Sequence, residues 1–312
     1  MDTHFEHEPV LCESVLKLIS PVPGGVYCDA TIGGGGHAEK MLEASAPDGR
    51  LVGIDRDPEA VSAARERLAR FGERVSIFHG QFAEIEELLT KAGVSRLDGL
   101  LVDLGVSSHQ LDTAARGFSF MRIGPLDMRM DQTQTETAMT LLERLSEDEL
   151  ADLIYRFGGE RFSRRVARSI KRIEAEGRLN TTAELAIAVQ RVVGRHQSGG
   201  IDPATRTFQA IRIAVNNEIG QLEELLSILP EPLATGGRAV IISFHSLEDR
   251  LVKRRFKELA EPCVCPSGMP VCNCPPPQVE YLTRRAVRVG PGEMKKNSRA
   301  RSSRARAVRR IQ

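Results

Sequence analysis

The first hundred residues alternate short apolar runs with amphipathic stretches. Val26-Tyr-Cys-Asp-Ala30, Leu51-Val-Gly-Ile-Asp55, Val75-Ser-Ile-Phe78 and Gly99-Leu-Leu-Val-Asp103 read as buried strands. Between them apolar positions recur at helical spacing. Val61, Ala64, Leu68 and Phe71 share one face behind Asp57 as cap and Pro58 in the first turn. Further helices are predicted to begin near His37 and to span 83–93. Strand–helix alternation implies right-handed crossovers and parallel pairing, hence an α/β, doubly wound, Rossmann-like sheet.

The rhythm breaks after Asp103. The next convincing strand, Arg238-Ala-Val-Ile-Ile242, comes far later than the dozen or so residues a crossover needs. Within the gap, Ser146 with Glu149 and Thr181 with Glu184 are spaced as capping boxes, and Gly158-Gly159 supplies a stop. Between those helices Phe162, Val166, Ile170 and Ile173 form an apolar stripe, opposite Arg161, Arg164, Arg165, Arg168 and Lys171. The expected organisation is therefore a sheet domain of 1–112 and 207–312 with a helical domain inserted over 113–206. Residues 208–229 read as one long amphipathic helix, 279–289 as a late strand, and 284–312 as a basic tail.

Composition narrows the class. Of 312 residues, 41% are apolar and 27% charged, which excludes a disordered or collagenous chain. There is no apolar run of membrane-spanning length and no basic segment leading into an apolar core at the N-terminus, so a cytoplasmic protein with reduced thiols is expected. Charge adds more. Between Arg284 and Arg310 eleven Lys and Arg face one acid, Glu293, giving +10 there and −9 over the rest of a chain whose total is +1. Without an apolar stripe in that block, its expected partner is nucleic acid rather than membrane.

The loop from Asp29 through Gly33-Gly-Gly-Gly36 to His37 joins a strand to a helix. Glycines there let backbone amides approach a ligand, and Asp55 at the end of the second strand suits a ribose diol. Gly33-x-Gly35-x-x-Ala38 also satisfies a dinucleotide fingerprint, so an NAD(P)-dependent oxidoreductase stays open. Against it, the insert falls where the second mononucleotide half should continue. Asp29, ahead of the first glycine, is more like a loop for S-adenosylmethionine.

The segments Leu101-Val-Asp-Leu-Gly-Val-Ser-Ser-His-Gln110, Arg116-Gly-Phe-Ser-Phe120 and Gly124-Pro-Leu-Asp-Met-Arg-Met-Asp131 are specific enough to carry a resemblance. With Tyr155-Arg-Phe-Gly-Gly-Glu160, Pro203-Ala-Thr-Arg206, Ile242-Ser-Phe-His-Ser-Leu-Glu-Asp-Arg250 and Asn297-Ser-Arg-Ala-Arg-Ser302, the chain resembles the RsmH (MraW) family almost throughout. The resemblance implies S-adenosylmethionine-dependent methylation of a cytidine N4 in the decoding region of bacterial 16S ribosomal RNA, within the small ribosomal subunit. It implies cofactor contacts at Gly35, Gly36, His37, Asp55, Phe82, Asp103 and Gln110. His109 and Asp202 depart from the family pattern, where proline and histidine are common. A non-catalytic ribosome-assembly factor is the other reading; the intact glycine loop, Asp55 and Asp103 argue against it.

A cytosine amine is a poor nucleophile because its lone pair is delocalised into the ring. An acceptor on its N–H can raise nitrogen electron density and remove the proton. Asp103, or a backbone carbonyl beside it, is expected in that role; the alternative is that Asp103 only fixes the cofactor or the turn. Arg161, Arg164, Arg165 and Arg168, with Arg206 and Asn216, are the expected RNA contacts. Phe118 and Phe120 are candidates for stacking on the target base, with core packing as the commoner outcome. Cys263, Cys265, Cys272 and Cys274 have a C-x-C…C-x-C pattern that four-thiolate zinc binding could use. The spacing is shorter than usual and the family resemblance requires no metal, so reduced surface cysteines are expected. Ser243, His245 and Asp249 are too close in sequence, and lack a glycine elbow, to make a hydrolase triad.

Overall fold

The computed structural model describes residues 9–194, 202–265 and 273–312. The chain divides into two compact units, residues 1–105 with 220–312, and residues 106–219.

The first unit opens with α1 (Cys12–Ile19), then alternates β1 (Val26–Asp29), α2 (Gly36–Ala44), β2 (Arg50–Asp55), α3 (Pro58–Leu68), β3 (Val75–His79), α4 (Ile85–Lys91) and β4 (Leu97–Asp103). Asp57 caps α3 as the sequence predicts, accepting the Glu59 N–H at 3.0 Å. After the second unit come β5 (Leu233–Ser243), α12 (Ser246–Ala260), β6 (Val279–Tyr281), α13 (Pro291–Lys296) and β7 (Arg304–Arg310). The seven strands lie in the order β3-β2-β1-β4-β5-β7-β6. Pairing is parallel from β3 to β5 and antiparallel where β7 joins β5 and β6.

Alternation along the strands builds a three-layer unit. Cys28, Val52, Leu100, Val102, Ala239 and Ile241 pack on one face with residues of α4, α12 and the 222–229 segment. Tyr27, Leu51, Leu101, Val240 and Ile242 pack on the other with residues of α1, α2 and α3. Both faces of the parallel strands are covered, which is why they read as continuous apolar runs rather than as alternation.

The second unit carries α5 (Ser108–Asp112), α6 (Ala138–Arg144), α7 (Glu147–Gly158), α8 (Ser163–Ala175), α9 (Thr182–Val193) and α10 (Ala204–Val215). Both predicted capping boxes form: Ser146 with Glu149 starts α7, and Thr181 with Glu184 starts α9. Val166, Ile170 and Ile173 of α8 meet Leu150 and Ile154 of α7 and Leu185 and Val189 of α9 in its core. Gly158 allows a close approach, because a Cβ there would lie 2.4 Å from the Arg206 carbonyl oxygen.

Two expectations are corrected. Residues 208–229 are not one helix: α10 ends at Val215 and α11 (Glu218–Ile228) begins after a break. Asn217 adopts a left-handed φ of 46°, and Asn216 uses its side-chain amide on backbone groups of another segment. Nor is 284–312 a tail. Its last stretch is β7, where Ala305, Ala307 and Val308 are buried and the intervening arginines have partners in the sheet unit. Arg304 and Arg306 both reach Asp249, at 2.9 and 2.7 Å, and Arg309 pairs with Glu280. Arg310 donates to the carbonyls of Pro230, Glu231 and Leu233.

Candidate active site

Three carboxylates stand at the carboxyl ends of adjacent strands: Asp29 on β1, Asp55 on β2 and Asp103 on β4. β1 lies between β2 and β4, so the chain crosses from one side of β1 to the other here. A doubly wound sheet opens its ligand crevice at such a reversal. The intervening glycine loop folds onto the cluster. Gly33 donates its N–H to Asp55 Oδ2 at 2.8 Å, and Asp57 donates to Oδ1 at 2.9 Å. Gly35 is the residue before α2 with φ +81°, a conformation an L side chain rarely adopts. Gly36 and His37 then form the first turn of α2, with its backbone donors at the loop.

The electrostatics of this end are unusual. Asp29 is buried, and desolvation, opposed by the Thr31 N–H and reinforced by Asp55, raises its carboxyl to about 7. Asp55 is pushed up to about 6 by burial, against the two backbone donors. Asp103 lies well above the carboxylate range, through burial and then the like charges of Asp29 and Glu248. His37 is lowered to about 4 by burial and is neutral near pH 7. Its Nε2 sits 3.8 Å from Asp103 Oδ2.

Among the described residues, no Lys or Arg pairs with Asp29, Asp55 or Asp103, and His37 Nε2 and Asp103 Oδ1 have no hydrogen-bond partner. The Asp103 backbone is anchored through its N–H to Thr31 Oγ1 at 2.6 Å. A crevice with several buried acids and, among the described residues, no ion-paired cation, Arg56 acting on Asp55 only as a minor influence, suits a positively charged ligand that also offers hydroxyls.

The chain matches the model of the MraW methylase family over residues 4–311. It belongs to that family. It is 53% identical to the ribosomal RNA small subunit methyltransferase H of Sorangium cellulosum, over 98% of this chain and 91% of that protein. It is 49% identical to the protein of the same name from Geobacter sulfurreducens, over 98% of this chain and 99% of that one.

Within this family member, Gly35, Gly36, His37, Asp55 and Asp103 gather in the crevice of the sheet unit. Phe82 is half-buried just beyond β3, where it packs beside the core on that face. Gln110 belongs to the helical unit. It is buried in the first turn of α5, its Oε1 accepting the Ser107 N–H at 3.0 Å.

Sequence reading left Asp29 without a site role and missed Glu248 altogether. Glu248 is buried and accepts the Phe244 and His245 N–H groups in a capping box at the start of α12. Its spacing of three residues from the cap was the available signal. His245 is that cap. Ser243 donates to the Arg304 carbonyl and Asp249 holds two arginines, so these three residues serve separate structural contacts.

The residues expected at RNA separate into groups. Arg161, Arg164, Arg165 and Arg168 are all exposed. Arg164 and Arg168 pair with Asp148 and Glu147 on α7 at 3.1 Å each. Arg165 lies over the Phe162 ring at 5.5 Å, and among the described residues neither it nor Arg161 forms an ion pair. These two line an open cleft of about 420 Å³ with Asp152, Tyr155 and Phe162, and Tyr155 is 64% exposed. Arg206 is half-exposed, 3.5 Å from Glu160.

Asn216 has a different job: it is fully buried, accepts the Met130 N–H at 2.8 Å and donates to the Met128 carbonyl at 2.7 Å. It holds the 128–130 segment in place and presents nothing to solvent. Phe118 is likewise buried in the helical core, and Phe120 packs edge-on against Phe208 at 5.1 Å.

Proposed function

We propose that the protein transfers a methyl group from S-adenosylmethionine to the exocyclic N4 of a cytidine in 16S ribosomal RNA, acting on the small ribosomal subunit. The observation that carries this reading is the crevice of Asp29, Asp55 and Asp103, lacking a cationic partner among the described residues, in a chain of the MraW methylase family. Such a substrate places the reaction in the cytoplasm.

The residues present fit the cofactor. Asp55 keeps a lone pair on each oxygen beyond those used by Gly33 and Asp57, and these suit a ribose diol. The Gly36 amide at the start of α2 suits a carboxylate, while Gly35, whose own N–H goes to the Ile32 carbonyl at 2.8 Å, shapes the turn that presents it. The buried acids suit sulfonium and ammonium charge, and Phe82 suits the adenine. The family resemblance also names Gln110, on the helical unit, as a cofactor contact. Bound there, S-adenosylmethionine supplies an electrophilic methyl group.

Asp103 is the assigned proton acceptor. Its Oδ1 holds no hydrogen bond among the described residues, and burial beside Asp29 and Glu248 raises its affinity for a proton. His37, neutral and adjacent, adds no positive charge that would depress that basicity. On the helical unit, Tyr155 offers a base-stacking face in the cleft it lines with Arg161 and Arg165, which suit phosphates. Arg164, Arg168 and Arg206 would reach RNA by exchanging their acidic partners Asp148, Glu147 and Glu160 for phosphates.

The test is methyl transfer from labelled cofactor to small subunits taken from cells lacking the protein, beside protein-free ribosomal RNA. Label entering subunits faster than free RNA is expected. Equal or exclusive labelling of free RNA would refute the subunit as substrate. Asp103→Asn should lower turnover at saturating cofactor by about a hundredfold or more. Undiminished turnover would remove Asp103 from the chemistry.

A further inference from the structure

The cysteines behind α12 are gathered more closely than surface thiols need to be. Cys263 and Cys265 follow the end of α12, and Cys274 precedes β6. The three sulfurs all lie within 4.8 Å of one another, with Cys265 Sγ and Cys274 Sγ 3.5 Å apart. In a tetrahedral zinc–thiolate centre with Zn–S bonds near 2.3 Å, neighbouring sulfurs are separated by about 3.8 Å. The 3.5 Å pair lies just under that value, and the 4.8 Å bound on the others admits it.

Burial does not explain the gathering, since Cys263 is exposed and Cys265 and Cys274 are only half-buried. The framework around the cluster is fixed. Gln278 donates its N–H to the Leu259 carbonyl at 2.9 Å, tying the approach to β6 to the last turn of α12. Three consecutive prolines, Pro275 to Pro277, restrict the chain between Cys274 and that tie.

We propose that this cluster is a structural zinc site held by the thiolates of Cys263, Cys265 and Cys274. Cys272, the remaining member of the sequence quartet, lies outside the described residues. Soft thiolates select zinc among common divalent ions, and a cluster at the entrance of an edge strand serves structure rather than catalysis. Zinc displaces the thiol protons on binding, and the resulting clip closes the loop from α12 to β6. β6 is a three-residue strand at the end of the sheet order, paired among the described residues with β7, so a clip at its entrance anchors the antiparallel edge of the sheet. This reverses the sequence expectation of reduced surface cysteines, and it is independent of the methyl-transfer reading.

The test is elemental analysis of the untagged full-length protein, purified under reducing conditions and dialysed against metal-free buffer. One zinc per chain is expected, released from the folded wild-type protein in step with mercurial titration of the thiols. Cys265→Ser and Cys274→Ser should lose most of that zinc, and Cys12→Ser should keep it. Cobalt replacement should give the intense visible absorption of a tetrahedral thiolate site. If the serine variants fail to fold, the wild-type zinc content and its thiol-linked release still decide the matter. Iron in place of zinc, wild-type protein without stoichiometric metal, or a Cys265–Cys274 disulfide surviving the reductant would each overturn the proposal.

Discussion

Replacing Asp29 by Asn should stabilise the cofactor-free protein, and by an amount that depends on pH in a defined direction. Asp29 is 1% exposed, and its carboxyl rises from an ordinary 3.8 to about 7 through burial and the neighbouring Asp55. The folded state therefore holds this proton more tightly than the unfolded chain does. Stability falls as pH rises from about 4 to about 7, and the full penalty is present above that window. A rise from 3.8 to about 7 corresponds to about 4 kcal/mol at neutral to alkaline pH. Asparagine retains the shape and an oxygen to accept the Thr31 N–H, which Asp29 Oδ1 now accepts at 3.3 Å. The assay is thermal and urea unfolding of both proteins, without cofactor, at pH 8 and at pH 4. The variant is expected to melt higher at pH 8 by up to about 8–16 °C, using about 2–4 °C per kcal/mol for a unit of this size. The gain should nearly vanish at pH 4. A gain equal at both pH values, or a loss at pH 8, would refute the electrostatic account of the crevice.

Three further outcomes follow from the same structure. Cofactor affinity, measured by titration calorimetry, should fall about tenfold from pH 7 to pH 5, because a carboxyl near 6 passes from about nine-tenths to about one-tenth ionised; a flat profile would detach Asp55 from the cofactor. Arg161→Ala with Arg165→Ala should weaken RNA binding and lower its salt dependence by up to about two phosphate contacts, read as the slope of log affinity against log salt; an unchanged slope would move the RNA elsewhere. Asn216→Ala should destabilise the protein by about 2–3 kcal/mol in urea unfolding, since it strands the Met130 N–H and the Met128 carbonyl in the core; a variant as stable as wild type would contradict that placement.

Much of this was legible before the structure, for physical reasons that differ from place to place. Strands covered on both faces must be apolar throughout, so β1, β2 and β4 announce themselves. Capping boxes are local hydrogen-bond devices, so Ser146 and Thr181 mark their helices whatever surrounds them. Asp55 and Asp103 could be found because each closes an apolar run, whereas Asp29 lies inside the run Val26–Ala30 and shows as a strand end only in the fold.

What sequence missed depends on partners distant in the chain. β7 alternates arginine with alanine, and alanine is a weak apolar signal, so a strand passed for a charged tail until Asp249 and Glu280 supplied its counter-ions. The break at Asn216 and Asn217 is invisible to periodicity, because the apolar face continues across it. The buried role of Asn216 depends on Met128 and Met130, far away in sequence. Charge counting placed Arg164 and Arg168 at RNA without foreseeing Asp148 and Glu147 beside them.

The central claim is the identity of the transferred group and of the atom that receives it. Small subunits from cells lacking the protein would be incubated with labelled S-adenosylmethionine and purified enzyme, and their RNA digested to nucleosides and resolved by mass. The account predicts label in N4-methylcytidine from 16S ribosomal RNA, absent with Asp55→Ala. Label in any other nucleoside, or none despite tight cofactor binding, would contradict it.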